Sequence, residues 1–328
     1  MRSLGTVLVL TQWFDPTADM VVEELNRRGV SVFRCDPGDL PQHLTFAAEL
    51  GEGWAGSLRL DTGRALDLAE VGCAYYRRPT GFGYPTGLTE ADQRWASRES
   101  LRGLGGVLQL IPCWLNHPAV IGRAEYKPIQ LDAAHRVGLE LPRTLITNDA
   151  ERAATFAAEL GGQVVYKSLS SSIVHGTDGE APRILYSTPV SVGQLGRAGI
   201  RLATHLFQEL VPKACELRVT YVDGHLFVAR IDAGSDAGRT DWRADYQNLT
   251  YSVAELPPPV ADAIGRLMDD LGLRFGALDL VVTPDGRHVF LEVNPNGQWG
   301  WIEDATGLPI AAAIADALTD QQERGDHD

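Results

Sequence analysis

Two apolar segments separated by a turn dipeptide, near the C-terminal end of the chain, constrain its fold more than any other feature. Residues 276–282 and 288–294 are rich in branched side chains, and Asp285-Gly286 between them is typical of a two-residue hairpin turn. Such a turn places Asp279 directly opposite Glu292 on neighbouring antiparallel strands. One face of the predicted hairpin therefore carries two facing acids.

The other face of this hairpin is apolar and suits a protein core, which supports the register. That register predicts three apolar cross-strand pairs: Leu278 with Val293, Leu280 with Leu291, and Val282 with Val289.

The acidic face of the hairpin also carries an amide, because Asn294 follows Glu292 by two residues. Facing carboxylates repel one another. A Mg²⁺ ion held by one or two carboxylates and by substrate phosphates removes that repulsion. Asp279, Glu292 and Asn294 therefore predict a nucleotide-bound metal site. The alternative is an exposed hairpin face whose acids are simply solvated.

Length and charge exclude several classes of protein. The chain has 328 residues, which favours two or three domains over a single core. No apolar run is long enough to span a bilayer. The formal net charge of -14 argues against nucleic acid as the main partner, because phosphate binding needs a basic surface. We therefore expect a cytoplasmic protein with neither nucleic-acid nor membrane partners.

The four cysteines lie far apart in the sequence and show no paired spacing; they are Cys35, Cys73, Cys113 and Cys215. Neither a zinc site nor a disulfide framework is indicated by this pattern. We expect reduced and mostly buried thiols.

The N-terminal segment has the pattern of a βαβ unit. A strand at 6–10, a helix at 20–28 and a strand at 30–34 are predicted. The first strand-to-helix turn is Gln12-Trp13-Phe14-Asp15-Pro16, which lacks the Gly-rich fingerprint of a dinucleotide site. This unit is therefore expected to serve a purpose other than binding a dinucleotide. Trp13, like Trp242, is assigned to packing.

The middle of the chain predicts a small α+β unit. A helix at 123–137 contains Lys127, and a second helix, capped by Asn148 or Asp149, precedes a strand at 163–167 that ends in Lys167. A Ser- and Gly-rich stretch at 168–179 is expected to be a mobile loop. Residues 206–212 are then predicted to form a strand that leaves the unit.

A second hairpin follows at 216–222 and 226–231, and its alternation places Glu216 and Arg218 on one face. These two charges can face one ligand, although a surface pair is the common outcome of such a pattern. The polar stretch 232–248 is either a lid or an ordinary surface loop. A helix is predicted at 258–271, before the acidic hairpin.

The order of these features resembles the ATP-grasp superfamily. Between about 116 and 295 the chain has five features in this order: a lysine at the start of a helix, a lysine at the end of a strand, a glutamate at a strand exit, a Glu-Leu-Arg hairpin and an acidic hairpin. The resemblance implies an α/β (α+β) ATP-grasp fold with an N-terminal Rossmann-like pre-grasp domain. It also implies domains at 1–118, 119–206 and 207–328, the last with the metal site.

The resemblance further implies a role for each residue that matches the superfamily by position. ATP phosphates are assigned to Lys127 and Lys167, adenine to the hinge of Glu209, Leu210 and Val211, and ribose to Glu216. Catalytic positions at the γ-phosphate and the acyl phosphate are assigned to Arg218 and Arg243. Mg²⁺ is assigned to Asp279, Glu292 and Asn294. One departure is Ser168-Leu169-Ser170-Ser171-Ser172, which stands where many ATP-grasp ligases have a Gly-rich phosphate loop.

Three segments look like a narrower branch, the graspetide (microviridin-type) peptide maturases: 75–79, 165–171 and 240–243. This resemblance implies ATP-dependent phosphorylation of Asp or Glu side chains in a ribosomal precursor peptide, with a leader and an acidic core. Capture by Thr or Ser then gives an intramolecular ester, and capture by Lys gives an amide. Arg77 and Arg78 are either a solvated strand end or a clamp for carboxylates of that peptide.

Two other hypotheses stay open. One is a ligase that joins free amino acids or adds glutamate to a protein end, as related ATP-grasp enzymes do. The other is an ATP-binding regulatory protein that keeps the fold but catalyses nothing. Whether the chain forms a homodimer is also open.

Overall fold

The computed structural model describes residues 5–170, 173–174, 183–184, 187–195, 198–235 and 246–324. The strands within these ranges are β1 (Thr6–Leu10), β2 (Val32–Cys35), β3 (Leu44–Leu50), β4 (Trp54–Leu60), β5 (Ala65–Asp67), β6 (Val71–Tyr76), β7 (Trp114–Leu115), β8 (Thr144–Thr147), β9 (Gln163–Lys167), β10 (Ile173–Val174), β11 (Arg183–Ile184), β12 (Thr188–Ser191), β13 (His205–Gln208), β14 (Cys215–Val222), β15 (His225–Ala233), β16 (Leu249–Val253), β17 (Phe275–Val282) and β18 (His288–Asn294). The helices there are α1 (Pro16–Arg27), α2 (Glu90–Leu108), α3 (Pro118–Ala124), α4 (Lys127–Arg136), α5 (Ala150–Glu159), α6 (Val192–Leu195), α7 (Pro258–Leu271), α8 (Gly300–Thr306) and α9 (Ile310–Arg324).

A parallel sheet of strand order β2-β1-β6-β7 forms the N-terminal unit and confirms the predicted βαβ start. Helix α1 begins four residues before the predicted start, because Asp15 caps it by accepting a hydrogen bond from Ala18 N and Pro16 fits the first turn. An antiparallel sheet of order β3-β4-β5 joins this unit. The C-terminal helix α9 packs back against α1 and β6.

The central unit contains an antiparallel sheet of order β12-β9-β13-β8, with α5 and α6 beside it. Of the two predicted caps, Asn148 and Asp149, it is Asp149 that caps α5, accepting hydrogen bonds from Glu151 N and Arg152 N. The predicted single helix at 123–137 is wrong. The chain breaks between α3 and α4, since Pro128 can only lie in the first turn of a helix, and Lys127 therefore opens α4.

The C-terminal sheet has the antiparallel order β16-β15-β14-β17-β18. Asp223 and Gly224 form the two-residue turn between β14 and β15, with φ of 45° and 97°, as hairpin turns of this length require. Helices α4 and α7 pack against one face of the sheet in a large apolar cluster. The core of this unit thus lies on the side away from Glu216 and Asp279.

The acidic hairpin has the predicted pairing at one end and not at the other. Leu278 pairs with Val293 and Asp279 with Glu292, but Leu280 pairs with Phe290 rather than with Leu291. The turn is one residue longer than predicted, because Pro284-Asp285-Gly286 connects Thr283 to Arg287 and Gly286 adopts φ of 86°.

A β-bulge at Leu291 compensates for the longer turn. The extra residue shifts the pairing back by one position, so that Asp279 and Glu292 still face each other. The predicted pairs Leu280 with Leu291 and Val282 with Val289 are therefore wrong, while the end of the hairpin that carries Asp279 and Glu292 is paired as predicted.

The cysteine prediction is also partly wrong. Cys73 in β6 and Cys113 just before β7 form a disulfide, with their Cα atoms 4.5 Å apart. Neighbouring parallel strands bring these two residues together, which their separation of 40 residues in the sequence does not reveal. Cys35 and Cys215 are free and buried as expected.

Asn116 connects the N-terminal unit to the C-terminal sheet through a buried amide. Its Nδ2 donates to Phe275 O at 2.8 Å and to Pro295 O at 3.2 Å, while its Oδ1 accepts from Arg274 N and Phe275 N. These four hydrogen bonds fix the N-terminal unit next to the acidic hairpin. None of the helices in the described ranges combines the length and apolarity that a bilayer span requires.

Candidate active site

A cleft with about 570 Å³ of empty space lies between the central sheet and the C-terminal sheet. The residues that line it come from both sheets and from the connection between β13 and β14: Val165, Lys167, Ser187, Gln208, Glu209, Leu210, Val211, Lys213, Glu216, Asp279, Val281, Leu291 and Glu292. Seven of the predicted site residues are among them.

The facing acids each contact a cation of the protein. Arg218 Nη1 donates to Asp279 Oδ1 at 2.7 Å, and both side chains are buried. Lys127 Nζ donates to Glu292 Oε2 at the edge of the same site. The repulsion expected between the two carboxylates is thus already reduced by Arg218 and Lys127.

The bulge at Leu291 shapes the wall of the cleft. Leu291 and Glu292 are consecutive, and both line the cleft, because a bulge turns a side chain that would otherwise point to the opposite face. The cleft therefore has an apolar surface, made by Leu291 and Val281, next to the acidic pair.

Glu216 is buried and faces the cleft from β14. Lys213 Nζ donates to Glu216 Oε1 at 2.6 Å, so the carboxylate is charge-paired although little of it is exposed. Glu209 follows β13, where its backbone N–H donates to Arg143 O at 2.8 Å. Leu210 is 40% exposed, which leaves the 209–211 connection accessible along the cleft.

Asn294 lies near the acids but outside the residues that line the cleft. It pairs with Ala277 in the ladder, and its Oδ1 accepts a hydrogen bond from Asn296 N at 3.0 Å. In the described part of the chain, no three acidic, histidine or cysteine side chains cluster closely enough to hold a metal. A metal there needs oxygen ligands of another kind, such as an amide or phosphates.

Arg77 differs from the prediction for it. The side chain is 1% exposed, its Nη2 donates to Gln298 Oε1 at 2.5 Å, its Nη1 donates to Asn296 O, and its Nε lies 3.7 Å from Asp15 Oδ2. This burial leaves no face of the guanidinium for a peptide carboxylate. Only Arg78 is exposed in a way that suits the predicted clamp.

Arg243 and the surrounding segment 240–243 lie outside the described residues, as does most of the Ser-rich stretch. Their predicted roles stay predictions. Trp242 also falls there. Trp13 does not pack as predicted, since 56% of it is exposed.

Two glutamine side chains at the site were not found from the sequence. Gln208 is buried and lines the cleft, its Nε2 donates to Thr144 Oγ1, and its Oε1 has no hydrogen-bond partner. The signal that could have indicated it is a polar residue within an otherwise apolar strand, Leu206-Phe207-Gln208. Gln298 has no such signal, because it lies in a loop and reaches its partners only in the folded chain.

Gln298 connects the N-terminal unit to the acidic hairpin. Its Oε1 accepts from Thr17 Oγ1 at 2.7 Å as well as from Arg77, and its backbone carbonyl accepts from Arg218 Nη2 at 2.9 Å. Gly297 allows this approach, since a Cβ there would lie 2.3 Å from Ala277 Cβ and 2.9 Å from Arg218 Nη2. Arg218 is therefore held from two sides.

Comparison with known proteins agrees with this architecture. Residues 6–121 match the family described as the MvdD pre-ATP grasp domain. Over 96% of this chain and 99% of the other, the macrocyclase MdnB from Microcystis aeruginosa MRC is 31% identical, with a TM-score of 0.81. The chain belongs to the ATP-grasp superfamily, among its ribosomal-peptide maturases.

Other members of the superfamily resemble this ATP-grasp chain over nearly its full length. MdnC, from the same organism and bound with precursor peptide MdnA, is 29% identical over 96% of this chain and 99% of that chain, with a TM-score of 0.86. A RiPP-associated ATP-grasp ligase from Chryseobacterium gregarium, in complex with ADP and a leader and core peptide, is 26% identical over 97% of both chains, with a TM-score of 0.88.

Curated relatives match a shorter part of this ATP-grasp chain. The ribosomal protein bS6--L-glutamate ligase of Salmonella paratyphi B is 29% identical over 204 residues, which are 61% of this chain. The chain spans 65% of the length of that relative.

Proposed function

We propose that this protein is an ATP-dependent peptide maturase that forms intramolecular crosslinks in a ribosomal precursor peptide. The observation that carries this proposal is the convergence of Lys167, Glu216, Asp279 and Glu292 on one cleft. They come from four different strands and include both carboxylates of the predicted metal site. Similarity to macrocyclases over the full chain supports the peptide as substrate.

ATP would bind in the cleft with its base next to the connection between β13 and β14. Glu209, Leu210 and Val211 line the cleft there, and the apolar surface of Leu291 and Val281 suits a flat base. The unpartnered Oε1 of Gln208 needs a donor, because a buried polar atom without a partner is unfavourable. The exocyclic amine of adenine is such a donor.

The phosphates would lie toward the acidic hairpin. Lys127 and Lys167 carry positive charge at that end, and Glu216, next to Lys213, is the proposed ribose ligand. Both lysines have the point charge that favours phosphate oxygens.

The residues at the hairpin fit a magnesium ion. Asp279, Glu292 and the amide of Asn294 supply hard oxygen ligands of the kind that Mg²⁺ prefers, and the two carboxylates face each other in register. When bound, the ion would neutralise charge on the phosphates of ATP.

The reaction begins when a carboxylate oxygen of a peptide Asp or Glu attacks the γ-phosphorus of ATP, and ADP leaves. A Thr or Ser hydroxyl oxygen then attacks the acyl carbon, phosphate leaves, and the hydroxyl proton is lost. One ester forms, and the peptide loses one water. Arg218, held beside Asp279, and Arg243 are proposed to stabilise the charge on the transferring phosphoryl group.

A lysine amine in place of the hydroxyl would give an amide with the same loss of water. We also propose that the protein works in the cytoplasm, where ATP and a newly made precursor are both present. The predicted domains at 1–118, 119–206 and 207–328 are part of this proposal.

The experiment is incubation of the protein with ATP, Mg²⁺ and each short acidic peptide encoded beside it in the genome. A decrease in peptide mass by one water for each crosslink, with release of ADP, is expected. Unchanged mass of every candidate peptide would refute the proposal.

A second candidate is a ligase that adds glutamate to a protein end, supported by the similarity to the bS6--L-glutamate ligase. The same mass measurement separates the two functions, since ligation adds a residue whereas cyclisation removes water.

A further inference from the structure

Arg77 is buried where the N-terminal unit contacts the loop 295–298, which follows β18. Only 1% of Arg77 is exposed, and its backbone N–H donates to Leu10 O at 2.9 Å, which fixes its backbone on the parallel sheet. A guanidinium is costly to bury unless its charge is offset and its donors are bound. The groups that bind Arg77 therefore indicate what the residue does.

The carboxylate beside Arg77 is that of Asp15, and it does not take up the donors of the guanidinium. Asp15 Oδ1 accepts from Ala18 N at 3.2 Å, and Oδ2 accepts from Thr11 Oγ1 at 2.8 Å. The distance from Arg77 Nε to Asp15 Oδ2 is 3.7 Å, which is too long for a hydrogen bond. Asp15 thus offsets the charge of Arg77, while its oxygens are bound within the N-terminal unit.

Both terminal nitrogens of Arg77 donate instead to the loop 295–298. Nη1 donates to Asn296 O, and Nη2 donates to Gln298 Oε1 at 2.5 Å. These acceptors lie 219 and 221 residues away along the chain. Because the planar fork of a guanidinium reaches two acceptors at once, it fixes both the position and the orientation of the loop.

The same two loop residues contact two residues of the proposed site. Asn296 N donates to Asn294 Oδ1 at 3.0 Å, and Gln298 O accepts from Arg218 Nη2 at 2.9 Å. Each loop residue is therefore held by Arg77 through one group and holds a site residue through another. A displacement of the loop would move the Asn294 amide and the Arg218 guanidinium together.

We propose that Arg77 is a positioning residue for the reaction centre, which orients Asn294 and Arg218 by holding the loop 295–298. The described residues that line the cleft all belong to the other two units. Arg77 thus gives the N-terminal unit a part in the chemistry without contact with ATP. The assignment of Asn294 and Arg218 to the reaction centre rests on the proposed function.

Arg77→Met tests the proposal, because it removes both donors and keeps an unbranched apolar side chain. We expect kcat for crosslinking, per folded molecule, to decrease by about 10- to 100-fold and KM for ATP to change by less than about threefold. Orientation of groups that act in the transition state affects kcat more than KM. Asp15 keeps Thr11 and Ala18 as partners, and Gln298 Oε1 keeps Thr17, so the variant should fold.

Arg274→Met is the matched control, since Arg274 also joins the N-terminal unit to the C-terminal sheet. Its side chain donates to Trp114 O at 3.2 Å, to Ala317 O at 2.9 Å and to Asp223, none of which lies in the loop 295–298. We expect lower stability but a kcat per folded molecule within about twofold of the wild type. If Arg77 only joined the units, both variants would behave in this way.

Arg77→Lys decides the case if Arg77→Met does not fold. It keeps the buried charge beside Asp15 but replaces the fork by a single donor group, and kcat is expected to be about three- to tenfold below that of the wild type.

Gln298→Met tests the path through the loop, because it removes the acceptor of Arg77 Nη2 and keeps the backbone carbonyl that binds Arg218. The double variant Arg77→Met/Gln298→Met should have a kcat within about twofold of that of Arg77→Met, since residues that act through one contact are not additive.

The Mg²⁺ dependence of ADP binding gives a measurement that needs no chemistry. Titration calorimetry at increasing Mg²⁺ concentration yields the concentration for half-maximal ADP binding. We expect Arg77→Met to raise this concentration by about three- to tenfold, because the Asn294 amide is no longer held in place, and Arg274→Met to leave it unchanged. A purely structural role would lower the melting temperature without this shift.

A folded Arg77→Met or Arg77→Lys variant with kcat within about twofold of the wild type would overturn the proposal, as would an equal loss of kcat in Arg274→Met. Failure of the proposed function shows differently, as unchanged peptide mass with the wild type. The Mg²⁺ measurement then decides on Arg77, because it requires no peptide.

Discussion

Arg218 and Asp279 form a buried ion pair at the centre of the candidate site, and this pair determines how the site responds to substitution. Both side chains are almost fully buried: 5% of the Arg218 side chain and 7% of the Asp279 side chain are exposed. Removing one member of such a pair leaves the other charge uncompensated in the interior. Stability and catalysis are therefore coupled at Asp279, whereas Glu292 and Lys127 are more exposed.

Glu292→Gln is expected to reduce turnover by about 100-fold or more, because it removes a charged oxygen from the phosphate end of the site. The free energy of unfolding should change by less than about 1 kcal/mol, since the lost pair with Lys127 is partly exposed to solvent. ADP release and chemical denaturation measure the two quantities. Near wild-type turnover would contradict the role of Glu292.

Asp279→Ala is expected to abolish turnover and also to lower the free energy of unfolding by about 3–5 kcal/mol, because Arg218 then lies buried without its partner. Denaturant unfolding checks this. The double variant Asp279→Ala/Arg218→Met serves as control and should recover much of the stability but no activity. A single variant as stable as the wild type would show that the pair does not form.

Gly297→Ala tests whether Arg218 is held by close packing of the loop after β18. The new methyl group would meet Ala277 and Arg218 Nη2, so we expect about 1–3 kcal/mol lower stability together with loss of turnover. Gly265→Ala in α7 is the matched control. Its Cβ would meet nothing within 4 Å, and the change should stabilise the helix by about 0.5–1 kcal/mol. Comparable thermal unfolding of the two variants would reject the prediction.

At the scale of the elements, the turn and the bulge of the acidic hairpin act together. The three-residue turn moves the register by one position, and the bulge at Leu291 moves it back. A one-residue slip of a strand exchanges its two faces. Without the bulge, Glu292 would point to the apolar core and the proposed metal site would not form, so both features are needed for Asp279 and Glu292 to face each other.

The N-terminal cap of α5 gives a prediction about a helix that lies outside the candidate active site. Asp149→Ala removes the acceptor of Glu151 N and Arg152 N and is expected to lower the free energy of unfolding by about 1 kcal/mol. Asn148→Ala, a change at the neighbouring exposed residue, should have less than half that effect. Denaturant-induced unfolding of both variants shows whether Asp149 acts as a helix cap or as an ordinary surface residue.

At the scale of the whole molecule, the cleft lies between units that have separate cores. One apolar cluster supports the central sheet, another supports the C-terminal sheet, and Asn116 and Gln298 join the N-terminal unit to the latter. Residues of the cleft come from both sheets, so a ligand in the cleft contacts two units at once.

Binding of ADP with Mg²⁺ is therefore expected to raise the melting temperature. At a nucleotide concentration of about 100 times its dissociation constant, the stabilisation should be about 2.7 kcal/mol. Differential scanning fluorimetry with ADP and Mg²⁺ measures this, with Glu292→Gln as a control that should show a smaller shift. No shift for the wild type would argue against a nucleotide site.

Local pattern determined much of the fold. Local sequence predicted where both hairpins lie, the strand ending in Lys167, a cap at Asn148 or Asp149 and the pairing of Asp279 with Glu292, because alternation, turn residues and caps act over a few neighbouring positions. The turn length of the acidic hairpin and two of its three apolar pairs were predicted wrongly. The order of these elements also identified the superfamily.

Only the tertiary structure decided the rest. Four features depend on segments far apart in the sequence: the burial of Arg77 against Gln298, the pairing of Arg218 with Asp279, the disulfide between Cys73 and Cys113, and the exposure of Trp13. The position of the bulge depends on two constraints at once. The three-residue turn sets the register at one end of the hairpin, and packing of the apolar face in the core sets it at the other. Local sequence patterns do not predict such contacts, because the contacts form, and stabilise the fold, only when the units pack together.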